Sequence, residues 1–189
     1  MRRLVVTGGP CSGKSTLIDA LDRSGFKTAR EAAIEVINDG VSRLGLSEFI
    51  HWRKSQLVDF QLDVDRQQRV IEREFCPDDI VFCDRSRIDG VAYLRQAGCE
   101  VPYSLSKKMM KHYAIEAVIV LDTITNFDVR SETGRADDRA YAARIRDELI
   151  RTYEDYGYQV MTINEQDFGL RMTEVLKVHE LVISAESTG

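Results

Sequence analysis

Gly8-Gly9-Pro10-Cys11-Ser12-Gly13-Lys14-Ser15 places glycine, lysine and a hydroxyl at the spacing G-x-x-x-x-G-K-[ST], and that spacing has a chemistry. The glycines let the backbone curl until successive N–H groups converge, and a following helix adds its positive end, so the loop cradles phosphates. Lys14 reaches the β- and γ-phosphates of a nucleotide, and the Ser15 hydroxyl ligates the Mg²⁺ that accompanies them. Gly8 through Ser15, with Thr16 as the next hydroxyl, are therefore the candidate nucleotide-binding residues, for ATP or GTP. A glycine turn without function matches this pattern in under roughly 1% of chains of this length.

Two acidic positions stand where chemistry on such a nucleotide needs them. Asp84-Arg85-Ser86 follows the apolar run Ile80-Val81-Phe82-Cys83, and charged residues at the carboxyl end of a parallel strand face the ligand crevice. Asp84 there holds the Mg²⁺ shell or accepts a proton from an attacking hydroxyl, while Arg85 grips an acceptor or a transferring phosphoryl group. Asp89 is equally placed to cap a helix over Gly90–Gln96 or to serve the site. Glu31 occupies the matching position after a second strand, in Ala29-Arg30-Glu31-Ala32-Ala33. Phosphoryl transfer to a hydroxyl needs a nearby carboxylate, so Glu31 and Asp84 compete for the role of base, and spacing does not separate them. Residues 126–139 are polar and contain Arg130, Gly134 and Arg135, which suits a lid that brings the two arginines onto the phosphates and excludes water. Lys14, Glu31, Asp84, Arg85, Arg130 and Arg135 are thus the catalytic candidates, with Ser15 and Asp84 as metal ligands.

The elements that position these residues alternate between strand and helix, which gives an α/β class with a parallel sheet covered on both faces. The pattern predicts strands at Arg3–Thr7, near Phe26–Ala29, and at Ile80–Cys83, Ala117–Leu121 and Tyr158–Ile163. It predicts a helix over Lys14–Ser24 ending at Gly25, and a closing helix from about Phe168 to Leu181. Ile50, Leu57, Phe60, Val64, Ile71 and Phe75 recur at near-helical spacing, which predicts one long helix through most of Ser47–Phe75. This crossover exceeds what a sheet needs, so residues 30–76 are expected to hold an acceptor-binding insertion. His51 and Trp52 are expected to pack there rather than to bind. With 189 residues, three prolines and no linker composition, the chain is expected to be a single domain.

Composition narrows the class. A net charge of −5 argues against a protein that coats nucleic acid. No apolar run approaches the ~20 residues of a membrane span, and with Met1-Arg2-Arg3 so close to the loop no signal sequence is expected. Cys11, Cys76, Cys83 and Cys99 show no metal or disulfide spacing, so a reduced cytoplasmic setting is expected. Arg130, Arg135, Arg139, Arg144, Arg146 and Arg151 cluster. The later ones are expected to form a solvated helix face paired with acids.

With these residues in view the chain resembles the NadR-like AAA domain family of P-loop proteins. The resemblance rests on Thr7–Thr16, Arg30-Glu31-Ala32-Ala33, Asp84-Arg85-Ser86, Asp89, Tyr93, Asp128-Val129-Arg130 and Tyr153-Glu154-Asp155-Tyr156-Gly157-Tyr158. Ile34 departs from it, since arginine is common there. The Asp-Arg-Ser motif is similar to that of deoxynucleoside and thymidylate kinases. The resemblance implies a three-layer P-loop NTPase fold with a five-stranded parallel sheet in the order 2-3-1-4-5. It also implies an ATP- and Mg²⁺-dependent kinase acting on a nucleoside-like or other small acceptor. The alternative is a GTP- or ATP-binding switch, or an NTPase with no small acceptor. The fourth strand ends Leu121-Asp122-Thr123 without a guanine-reading motif, which weakens the switch.

Overall fold

The computed structural model describes residues 1–124 and 139–186. Strand β1 (Arg2–Gly8) is the centre of a five-stranded sheet. It pairs in parallel with β3 (Ile80–Asp84) on one side and β4 (Ile115–Leu121) on the other. The short β2 (Thr28–Ala29) and β5 (Val160–Ile163) complete the edges, in the order β2-β3-β1-β4-β5. This is the order the resemblance implies.

The apolar runs explain both faces of the sheet. Strand side chains alternate, and a parallel sheet is covered on both sides, so consecutive residues must all be apolar. Leu4, Val6, Phe82, Ile119 and Leu121 pack against α1 (Lys14–Arg23) and α8 (Phe168–Glu186). Val5, Val118 and Val120 point the other way, onto α5 (Arg87–Gln96) and α7 (Arg139–Asp155). The register then brings the strand ends level. Val6 pairs with Asp84 and Gly8 with Leu121, so the phosphate loop, Asp84 and Asp122 emerge along one edge.

The crossover differs from the sequence expectation. In place of one long helix through Ser47–Phe75 there are two, α3 (Leu46–Ser55) and α4 (Leu57–Glu72), and a further helix that was not expected, α2 (Ala32–Leu44), precedes them. The break falls at Gln56, whose φ of −120° and ψ of 48° leave the helical region, so the apolar spacing continues across a turn. Phe49, Trp52 and Phe60 pack into a small aromatic cluster of their own, away from the main sheet. Gly40 makes this possible, because a Cβ there would sit 2.3 Å from the Phe49 ring. Trp52 packs as expected, but His51 is exposed and does not. Between α5 and β4 lie a 3₁₀ turn (Tyr103–Leu105) and the short α6 (Lys107–Met110). Among the described residues no helix is long and apolar enough to cross a membrane.

Candidate active site

The phosphate loop joins β1 to α1 as its sequence requires. Gly8 has a φ of 149°, and a Cβ there would lie 2.4 Å from the Leu121 carbonyl oxygen, so no larger residue fits. Cys11 adopts a left-handed φ of 55°, an uncommon state for a residue with a side chain. Lys14 is buried, and its Nζ donates to the carbonyls of Gly8 (3.1 Å) and Gly9 (2.9 Å) and to Ser12 Oγ (3.1 Å). Ser15 and Thr16 stand exposed at the mouth of α1.

Ser15 Oγ donates to Asp84 Oδ2 at 3.2 Å, which links the loop to the end of β3. The other oxygen, Asp84 Oδ1, is buried and has no hydrogen-bond partner among the described residues. Burial, reinforced by the nearby charge of Glu31, raises the Asp84 carboxyl to about 6, while Lys14, Arg85 and Ser15 pull it down. A buried carboxylate oxygen without a donor beside a serine hydroxyl fits a hard cation. Mg²⁺ takes one or two protein oxygens and completes its shell with water and phosphate. No group of three or more His, Cys, Asp or Glu side chains able to hold a metal occurs among the described residues.

Arg85 lies one residue beyond β3 in a left-handed conformation, with φ at 72°. Its backbone N–H donates to Val6, and its side chain enters a buried cluster. Nε lies 3.1 Å from Glu31 Oε1, and Nη1 donates to Asp89 Oδ1 at 3.2 Å. Nη1 also approaches the Gly8 carbonyl at 3.5 Å, and the guanidinium lies 5.4 Å from the Tyr93 ring centre. Burial acts to lower the Arg85 pKa, but Tyr93, Glu31, Asp89 and Asp84 outweigh it and hold the charge firmly.

Asp89 is saturated. It accepts from Thr7 Oγ1 and Arg85 on one oxygen, and from the Ser86 N–H (2.9 Å) and the Tyr153 hydroxyl on the other. The helix thus starts at Arg87, with Ser86 as its cap and Asp89 completing a capping box. Ser86 Oγ and Tyr153 OH lie 2.7 Å apart, joining α5 to α7. Burial, then the adjacent Asp89 charge, raises the Tyr153 phenol well above its ordinary value.

Beside this cluster opens a cavity of about 120 Å³. Pro10, Glu31, Arg85 and Asp89 form its inner end, while Ala33, Ile37, Leu57, Phe60 and Val64 of the three-helix crossover form a wall. Tyr93 and Tyr141 also border it. Gln61 lines it too and is 6% exposed, and its carboxamide has no partner among the described residues. Glu31 therefore faces the cavity, whereas Asp84 turns toward Ser15.

The structure thus brings together Lys14, Ser15, Glu31, Asp84 and Arg85. Arg130 and Arg135, and with them the expected lid, lie outside the described residues. The later arginines match the solvated face expected of them: Arg146 pairs with Asp122 and Asp147, and Arg151 with Glu148. Sequence reading passed over Gln61 and Arg171, and used Tyr153 only as part of the resemblance, without a role. Gln61 gave one signal, a polar residue in an apolar helical stripe next to Phe60.

Solved structures sharing this fold include deoxyadenosine kinase from M. mycoides with bound dCTP. It is 13% identical, with a TM-score of 0.59 over 94% of this chain and 97% of that one. Thymidylate kinase from Candida albicans is 14% identical, with a TM-score of 0.57 over 95% and 91%. Thymidylate kinase from Ehrlichia chaffeensis is 19% identical, with a TM-score of 0.56 over 94% and 97%. At such identities the likeness is one of fold. No curated protein matches the sequence. A family model described as an AAA domain matches residues 3–171, and a match of that extent makes this chain a member of that AAA domain family.

Proposed function

We propose that this protein is an ATP- and Mg²⁺-dependent small-molecule kinase whose acceptor, nucleoside-like in shape, occupies the cavity beneath the three-helix crossover. The observation that carries the reading is the junction of that cavity with the phosphate loop, where Glu31 and Arg85 stand at the shared end. A nucleotide switch or a bare NTPase has no need of such a second chamber. The fold shared with deoxyadenosine and thymidylate kinases supports the same reading.

In this mechanism the loop N–H groups and Lys14 hold the triphosphate, with Lys14 exchanging its loop oxygens for phosphate oxygens. Mg²⁺, held by Ser15 and Asp84, would neutralise phosphate charge. Glu31 takes the proton from the acceptor hydroxyl, whose oxygen attacks the γ-phosphorus as the bond to the β-phosphate oxygen breaks and ADP leaves. Arg85 orients Glu31 and faces the charge that builds between acceptor and phosphate. The aromatic walls suit a flat ring, and Gln61 offers both a donor and an acceptor to its polar edge. The test is a coupled ADP-release assay over nucleosides, nucleotides and sugars, with nucleosides expected to stimulate release. ADP release that no acceptor stimulates returns the protein to the switch or NTPase class.

A further inference from the structure

Arg171, in the first turns of α8, is 3% exposed, and its guanidinium is directed at backbone oxygens rather than at a carboxylate. Nη1 donates to the Ser12 carbonyl at 2.5 Å, Nη2 to the Asp122 carbonyl at 2.8 Å, and Nε to the Glu165 carbonyl. These oxygens belong to three separate segments: the phosphate loop, the end of β4 and the loop after β5. The last of these is held further by its own side chains. Glu165 accepts from the N–H groups of Gln166 and Asp167, and Asp167 accepts from that of Leu170. Burial lowers the Arg171 pKa, and the acids Asp122 and Glu165 act against that.

The geometry has two consequences. A peptide is planar and trans, so fixing the Ser12 carbonyl toward Arg171 turns the Gly13 N–H away from it. The direction of a loop donor is thereby set from behind. Second, the cavity takes up the β3 side of the loop, so the rest of a bound nucleotide leads over the carboxyl ends of β4 and β5. The guanidinium ties that ledge to the phosphate loop.

We propose that Arg171 is a positioning residue for the donor nucleotide, fixing the phosphate loop in register with the ledge formed by Asp122 and Glu165. The inference rests on the reading of the loop as a triphosphate site. Only a planar fork with donors on three nitrogens bridges three carbonyls, so a lysine, which keeps the charge, does not replace it.

The experiment is calorimetric titration of the wild type, R171K and R171Q with Mg·ATP and with Mg-tripolyphosphate, beside thermal melts of each. Mg·ATP affinity is expected to fall by about 10- to 100-fold in both variants, because small misplacements of a binding frame carry losses of that order. Tripolyphosphate, which does not reach the ledge, is expected to lose less. If R171Q does not fold, R171K alone carries the comparison. Wild-type affinity in R171K means that charge suffices and overturns the bridging role. Unchanged affinity with only a lower melting temperature makes Arg171 a structural residue and overturns it too. Equal losses for both ligands confine the effect to the phosphate loop and overturn the link to the ledge. A wild type that binds neither ligand overturns the triphosphate reading itself.

Discussion

Glu31 and Asp84 are chemically alike and 53 residues apart in sequence, and the structure gives them different neighbours. Glu31 meets Arg85 and the cavity, while Asp84 meets Ser15 and, among the described residues, keeps one oxygen without a donor. Glu31→Gln keeps size and hydrogen bonding but removes the proton acceptor. Phosphoryl transfer is then expected to fall by about 10²- to 10⁴-fold with Mg·ATP affinity intact, as paired kinetics and calorimetry would show. Asp84→Asn is expected to raise the magnesium concentration needed for half-maximal turnover, read from a magnesium titration. Lys14→Met tests the loop itself, since it removes three donor contacts as well as a charge. Mg·ATP binding should vanish, and the fold should lose about 1–3 kcal/mol because buried acceptors lose their donor. A mutant that titrates like the wild type would sink the phosphate-loop assignment. These residues were legible because a fixed spacing announces a phosphate loop. Which neighbours the two carboxylates would meet was not, because spacing along a chain does not say which way side chains at neighbouring strand ends will turn.

At the scale of elements, the apolar runs at Leu4–Val6, Ile80–Cys83 and Ala117–Leu121 were readable as buried parallel strands, and they are. The crossover was not. Apolar residues at helical spacing look the same whether a helix runs on or turns at Gln56, since a turn that preserves the buried face leaves the period undisturbed. Likewise Ser86 and Asp89 together, rather than Asp89 alone, start α5. The packing of α2 on α3 depends on one close approach. Gly40→Ala places a Cβ 2.3 Å from the Phe49 ring, and overpacking of this kind costs about 1–3 kcal/mol. Because Phe60 belongs to the same cluster and lines the cavity, the acceptor KM should rise while the KM for Mg·ATP stays unchanged. Gly90→Ala is a milder probe, with its Cβ 3.0 Å from Gln61 Oε1. A change in nucleotide KM from either variant would count against separate donor and acceptor chambers.

For the whole molecule, the raised carboxyl of Asp84 makes stability depend on pH. Its folded value of about 6 lies above the unfolded value of about 3.9, so between the two the folded state holds a proton that the unfolded chain has lost. The contribution is full below about pH 4 and is lost as the pH rises through about 6. At neutral pH the ionised group therefore costs the fold on the order of 2–3 kcal/mol. Denaturant melts should show stability falling over that window, and Asp84→Asn should abolish this limb and melt later than the wild type at pH 7. A flat profile shared by both proteins would remove the argument. The oxygen left without a donor on Asp84 then bears on the protein's lifetime. The ligand-free form is the least protected state, and any species that settles against that oxygen draws the population away from unfolded chains open to proteolysis. Mg-nucleotide at 100 times its dissociation constant adds about 2.7 kcal/mol, so digestion by a protease should slow by up to about a hundredfold when both are present. Abundance would then follow supply: a cell short of triphosphate would clear this protein faster than one that is replete.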